Sequence, residues 1–367
     1  MRGVVAVAIA LATAGAAVAA EPQPRQPGPG GAQPYLPIPS FRDMMAPQAP
    51  ARSLEQRAEP APAADEDGPP ADPNADVAFG AFQRGLYRKA FAEATRRADA
   101  TPPSAAAMTL IGELYAHGYG VARKPAEATR WYERAAKAGD PKAMTALALA
   151  KLEGAGTAKD ENGAAALLAK AGDLNDAQAL YNLGVLQLEK RGGAKSDADA
   201  AKLLKRAAEL GEAAAQYAYA VLLKEGRGVE RDPSGSAEWM RRAAEQDDVS
   251  ALVEYAIATF NGNGVVKNEA EAARLFRRAA DRGNAIAQNR LARLYAYGRG
   301  VDRDPVKAAA WHRLSQAQGL QDAWLEGFAE TMKPEDRAAA DAMIKRWSEA
   351  FGPVGRQAQA AAAPPKP

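Results

Sequence analysis

The chain has 367 residues, with Lys+Arg 47 against Asp+Glu 45 and a formal net charge of +2. That balance excludes the strongly basic surface of a nucleic-acid binder and the acidic tail of a charged low-complexity protein. The absence of cysteine excludes disulfides, thiolate catalysis and cysteine-held metal ions.

Residues 1–20 read as a secretory leader. Arg2 supplies the positive start, Gly3 to Ala14 a short apolar run, and Ala17-Val18-Ala19 the small residues for cleavage near Ala19 or Ala20. The run is shorter than the ~20 residues that cross a bilayer. The mature chain is therefore expected to be exported, to the periplasm or beyond the cell, with no transmembrane segment. Residues 21–74 are crowded with Pro, Gly and Ala, among them Pro22, Pro24, Pro27, Pro29, Pro34, Pro37 and Pro39. Such composition cannot bury enough apolar surface to offset ordering entropy, so a disordered spacer is expected. Its main apolar cluster, Tyr35 to Pro39 with Phe41, reads as linker, with a short docking motif as the alternative. Residues 75–104 should form two helices around Gly85, with Val77, Phe79 and Phe82 before the turn and Ala90, Phe91 and Ala94 after it. They would cap the N-terminal end of a helical stack.

Residues 105–320 repeat themselves. Gly120, Gly156, Gly192, Gly228, Gly264 and Gly300 fall at one spacing, 156 − 120 = 36. Six units run on without insertion: 105–140, 141–176, 177–212, 213–248, 249–284 and 285–320. In the first, Ala107, Met108, Ile111, Gly112, Leu114 and Tyr115 recur at three- and four-residue spacing and share a helix face. The Gly112 column holds only Gly or Ala, as close helix contact demands. Gly118 and Gly120 end the helix, and the pair recurs in every unit but the third, where Lys190 takes the first place. A second helix then starts at the N-cap column Asp160, Ser196, Asp232, Asn268 and Asp304, with Lys124 as the exception. Pro125, Pro233 and Pro305 suit the first helical position. This helix is expected to bury Ala128, Trp131, Tyr132 and Ala135, and in the last unit Ala308, Trp311, His312 and Ser315. Gly139, Gly211, Gly283 and Gly319 end four of the six second helices.

Leu114 to Val121 (LYAHGYGV), followed by Ala128, Trp131-Tyr132 and Ala135-Ala136, resembles the Sel-one-like repeat, a subgroup of the tetratricopeptide superfamily. Leu294 to Val301 (LYAYGRGV) through Trp311 matches as well, and Leu167 and Leu203 are departures at the Trp131 position. The resemblance implies an all-α solenoid, antiparallel helix pairs stacked into a right-handed superhelix. It also implies an adaptor for protein complexes, in bacteria often at the cell envelope. Trp324, Leu325 and Phe328, then Ala340, Met343, Ile344 and Trp347 with Pro334 before them, suggest two C-terminal capping helices within 321–351. An Ala/Pro-rich tail, 352–367, should be disordered.

No catalytic constellation is legible, and the chain is read as a non-enzyme with no cofactor and no metal. Of the two histidines, His117 reads as a turn residue and His312 as a packing residue. No nucleophile elbow or phosphate loop is present. A partner would sit on the first helices, which line the inner side of stacked pairs. Positions spaced i, i+4, i+7 share one face there. They read Thr109/Glu113/Ala116, Thr145/Leu149/Leu152, Tyr181/Val185/Leu188, Tyr217/Val221/Lys224, Val253/Ile257/Phe260 and Asn289/Arg293/Ala296. The apolar members, Leu149, Leu152, Tyr181, Val185, Leu188, Tyr217, Val221, Val253, Ile257 and Phe260, form either an open groove or packing between neighbouring first helices. The expected partner is another protein or peptide of the envelope, not nucleic acid. Engagement of cell-wall glycan in envelope growth or division is the alternative, and a β-lactam or cell-wall hydrolase the most remote.

Overall fold

The computed structural model describes residues 76–189 and 193–347. The expected leader, the spacer, Lys190 and Gly192, and the C-terminal tail lie outside them. Within the described residues the chain forms sixteen helices and no strand. A helical hairpin leads, α1 (Val77–Gln83) and α2 (Tyr87–Ala98). Six pairs succeed it: α3 (Ala105–His117) with α4 (Pro125–Lys137), α5 (Pro141–Glu153) with α6 (Glu161–Asp173), α7 (Ala177–Glu189) with α8 (Ala194–Glu209), α9 (Ala213–Glu225) with α10 (Pro233–Glu245), α11 (Val249–Asn261) with α12 (Glu269–Asp281), and α13 (Ala285–Tyr297) with α14 (Pro305–Ala317). Two helices close the stack, α15 (Ala323–Glu330) and α16 (Pro334–Trp347). From α2 to α15 each helix packs on the one before it, and α16 lies back on α14.

Small residues bring the paired helices together. A Cβ on Gly112 would fall within 3.0 Å of the Tyr132 ring, and one on Gly184 within 3.0 Å of Leu204. The first glycine of each described pair is a left-handed C-cap: the Gly118 and Tyr119 amides both donate to the Leu114 carbonyl. The second glycine has a different task. A Cβ on Gly156, Gly228, Gly264 or Gly300 would run into the backbone of the preceding unit's second helix, at Pro125, Asp197, Pro233 and Glu269. The glycine pair therefore ends one helix and seats one repeat upon another.

The third unit departs from the expected N-cap column. Its second helix begins at Ala194, with Gly193 as the cap rather than Ser196. In the other five units the N-cap amide donates to a carbonyl nine residues back, as Asp232 does to Leu223 and Asp304 to Tyr295. Ser196 lies inside the lengthened helix, and its hydroxyl makes the equivalent bond to the Gln187 carbonyl at 3.1 Å. The left-handed column that ends the second helices is complete: Asn175 and Asp247 take positive φ where the other four units carry glycine. Asn and Asp are the side-chain-bearing residues that tolerate this conformation best.

The cores are built largely of alanine, with Leu, Tyr and Met between. One expectation about aromatics, the burial of Trp131, is corrected. In α1 the buried residues are Ala78 and Ala81, while Phe79 is 47% exposed. In α4 and α10, Trp131 and Trp239 are only half-buried, each with an arginine over its ring, Arg134 at 4.1 Å and Arg242 at 4.6 Å. Trp311 is the buried tryptophan of that column, and the closing helix α16 lays Trp347 against it at 4.6 Å. The remaining expected second-helix core residues, Ala128, Tyr132, Ala135, Ala308, His312 and Ser315, are buried.

Candidate interaction cleft

The first helices line a cleft of about 1760 Å³ that runs from the leading hairpin to the start of α11. It takes residues from the inner positions of four consecutive units, Thr109, Glu113 and Ala116 on α3, Thr145 and Leu149 on α5, Tyr181 on α7 and Tyr217 on α9. Of the ten apolar candidates, Leu149 is half-buried in the cleft wall, and Tyr181 and Tyr217 border it while being almost wholly buried. Val185, Leu188, Val221 and Val253 are buried outside the cleft, and Leu152, Ile257 and Phe260 are half-buried outside it. Phe260 carries the Arg299 guanidinium over its ring at 4.5 Å. The structure does not gather the ten into one apolar stripe. The open surface of the cleft is mixed, with carboxylates set among apolar atoms such as those of Phe79 and Leu149.

Four of these carboxylates form a second column, one residue per unit, at the N-caps of the first helices: Asp140, Asp176, Glu212 and Asp248. All four border the cleft. The inner position of one unit meets the acidic cap of the next. Thr109 donates to Asp140, and Thr145 donates to Asp176 at 3.0 Å. Tyr181 and Tyr217 continue the series beside Glu212 and Asp248. Burial first raises both phenols above their ordinary range, with Asp248 and Glu212 adding to it at Tyr181 and Glu254 and Asp248 at Tyr217. Burial likewise pushes the Glu212 and Asp248 carboxyls up, and for Glu212 the neighbouring Asp176 and Asp248 act in the same direction. The clue was present in the periodicity, since these acids fall 36 residues apart, but an acidic N-cap reads first as helix punctuation.

The two histidines lie apart. His117 ends α3 at the cleft, with Nε2 3.2 Å from a Glu113 carboxylate oxygen, and the hydrogen bond to Glu113 raises its pKa. The same Glu113 accepts from the Tyr132 hydroxyl at 2.9 Å. His312 is buried in α14, where desolvation lowers its pKa. Among the described residues no group of three or more His, Cys, Asp or Glu is placed to hold a metal ion. Aromatic rings close the leading end of the cleft: Phe79 and Phe82 border it, and Tyr119 stacks on Tyr87 at 4.8 Å and on His117 at 5.2 Å.

Comparison with known proteins bears on the fold more than on this cleft. The chain is similar to a Sel1 repeat protein from Oxalobacter formigenes, with 29% identity, a TM-score of 0.59, and coverage of 66% of this chain and 98% of that one. It is also similar to a protective antigen of uropathogenic Escherichia coli that displays the same repeat fold, with 23% identity, a TM-score of 0.48, and coverage of 75% and 66%. No curated relative matches the chain. Six Sel1 repeats match at residues 105–140, 141–176, 177–212, 213–248, 249–284 and 285–320. On that match, which covers more than half its length, the chain belongs to the Sel1 repeat family.

Proposed function

We propose that this chain is an exported, non-enzymatic scaffold of the bacterial cell envelope that docks another protein in the cleft between its first helices. Sel1 repeat chains are in general non-catalytic interaction scaffolds. The observation that carries the reading is the cleft, an inner surface shared by successive repeats and left open by the packing of the pairs. Export rests on the composition of residues 1–20. No helix among the described residues is long and apolar enough to cross a membrane.

The test is a paired capture from the envelope fraction, with the natural chain and with Gln178→Trp. Gln178 is exposed and borders the cleft, so the indole obstructs it without disturbing a core. The expected result is a protein retained by the natural chain and lost by the variant. Equal retention by both would place docking elsewhere. Sedimentation with purified peptidoglycan separates this reading from glycan binding. Cell fractionation with N-terminal sequencing of the mature chain tests export, and an uncleaved cytoplasmic chain would refute it.

A further inference from the structure

We infer that the cleft is built for a cationic partner, a polypeptide segment rich in Lys and Arg. This rests on the docking reading above and adds the chemistry of what docks. Eight carboxylates border the cleft. Asp76 is paired with Arg97, Asp247 with Arg278 and Arg282, and Glu113 faces His117. That leaves Asp140, Glu153, Asp176, Glu212 and Asp248 with no ion pair among the described residues, against Arg123 and Lys142 as the permanent positive charges of the lining. The whole chain carries a formal charge of +2, so the acidity is local to this surface and does not reflect an acidic protein.

The later units show what such carboxylates look like when the fold supplies its own cation. Buried Glu254 on α11 pairs with Lys224 at 2.7 Å. Buried Asp322 receives a two-pronged Arg293 at 2.7 and 2.8 Å, with Asn289 donating at 2.8 Å. Asp140, Asp176 and Asp248 receive hydroxyl or backbone N–H donors, the Glu212 side chain makes no cap hydrogen bond, and none of the four is in an ion pair among the described residues. Four like charges at successive steps of a partly desolvated cleft repel one another. A cation delivered from outside relieves that repulsion, and concave walls of one sign concentrate the attracting field. The rings of Phe79 and Phe82 at the leading end supply faces on which a guanidinium or ammonium group can rest.

The test uses the purified full-length chain and three sets of short fluorescent peptides, rich in Lys/Arg, rich in Asp/Glu, or uncharged, each with one Tyr or Leu anchor. Anisotropy is read for the natural chain, for Gln178→Trp, and for a variant carrying Asp140→Asn, Asp176→Asn, Glu212→Gln and Asp248→Asn. Asn caps helices as well as Asp does, so the caps survive the loss of charge. Should that variant melt early, Glu212→Gln with Glu153→Gln replaces it. The expected result is binding of the Lys/Arg set alone. It should weaken about tenfold or more in the neutralised variant, and similarly between about 50 and 500 mM salt, and be abolished by Gln178→Trp. If uncharged or acidic peptides bind equally and only Gln178→Trp abolishes binding, the cationic inference fails and the docking reading stands. Binding indifferent to Gln178→Trp, or no binding by any set, overturns both. If peptides bind only after residues 21–75 are deleted, the occupant is the chain's own segment and the inference of an external partner fails.

Discussion

Gly228 in one repeat sits directly on the backbone carbonyl of Asp197 in the repeat before it, so that a Cβ at Gly228 would lie within 3.0 Å of that oxygen. The residue between the paired glycines, Arg227, reaches the Asp197 carboxylate with both Nε and Nη2, at 3.1 and 2.9 Å. Backbone and side chain thus join the same two stretches of chain across one repeat boundary.

This geometry separates two costs that a positive-φ glycine can carry. Gly211 has φ +96 and nothing within 4 Å of a built Cβ, whereas Gly228 has φ +69 and the Asp197 carbonyl. Gly211→Ala should lose roughly 1 kcal/mol, the strain of a left-handed alanine. Gly228→Ala should lose that and a further ~1–3 kcal/mol, because backbone must move to admit the methyl group. Urea denaturation of both variants is the check. Equal losses would mean that the boundary yields without cost.

Two aromatics of the same repeat differ in burial. Tyr217 is 1% exposed, while Trp239 on the outer helix is half-buried beneath Arg242. Tyr217→Ala should therefore cost about 3–5 kcal/mol by leaving a cavity, and Trp239→Ala less. Thermal or urea unfolding of the two variants decides, and a larger loss at Trp239 would contradict the placement of Tyr217 in the core.

Ser196 makes a single-atom substitution for a backbone bond. Removing the hydroxyl in Ser196→Ala leaves the Gln187 carbonyl short of a partner and should cost roughly 0.5–1.5 kcal/mol. Ser234→Ala, an exposed first-turn position in the next unit, serves as the control. Local hydrogen exchange in the third unit should rise in the first variant and not in the second.

Acid should weaken the repeat boundaries. The hydrogen bond from Arg299, with a second from Lys267, holds the Glu269 carboxyl at about 2, below its ordinary 4.5. A folded-state value below the unfolded one means that the unfolded chain binds the proton first. The contribution is therefore whole above about pH 4.5 and is lost as pH falls through that value towards about 2. Glu212 and Asp248 carry the opposite sign, because their raised values make the folded chain the better proton acceptor. Glu269→Gln should flatten the fall of the urea midpoint below about pH 4.5, and Glu212→Gln should steepen it.

The repeat, its helix pairs and the closing helices were legible because they rest on local chemistry at a fixed period. Small residues sit at the Gly112 column, Asp and Asn at helix starts, and glycine at helix ends. What was not legible crosses repeat boundaries. The seating of Gly228 on Asp197 depends on which backbone lies behind a turn. The acidic row Asp140, Asp176, Glu212 and Asp248 belongs to the cleft because each cap meets an inner residue of the preceding unit, Thr109 or Thr145 in the first two cases. Neither relation has a helical period. Trp131 and Trp239 mislead in the same way, because recurrence in a column does not say which members are buried, and Trp311, against Trp347 of α16, is the buried tryptophan. Asn175 and Asp247 were within reach, since they fall in register with Gly139 and its equivalents.

The most direct test of the cleft as the docking surface is site-specific photocrosslinking in cells, with the reactive residue placed at Gln178 in the cleft or at Val266, which is 89% exposed on a loop outside it. The account predicts one reproducible protein adduct from Gln178 and none from Val266. The same adduct from Val266, with none from Gln178, would contradict it.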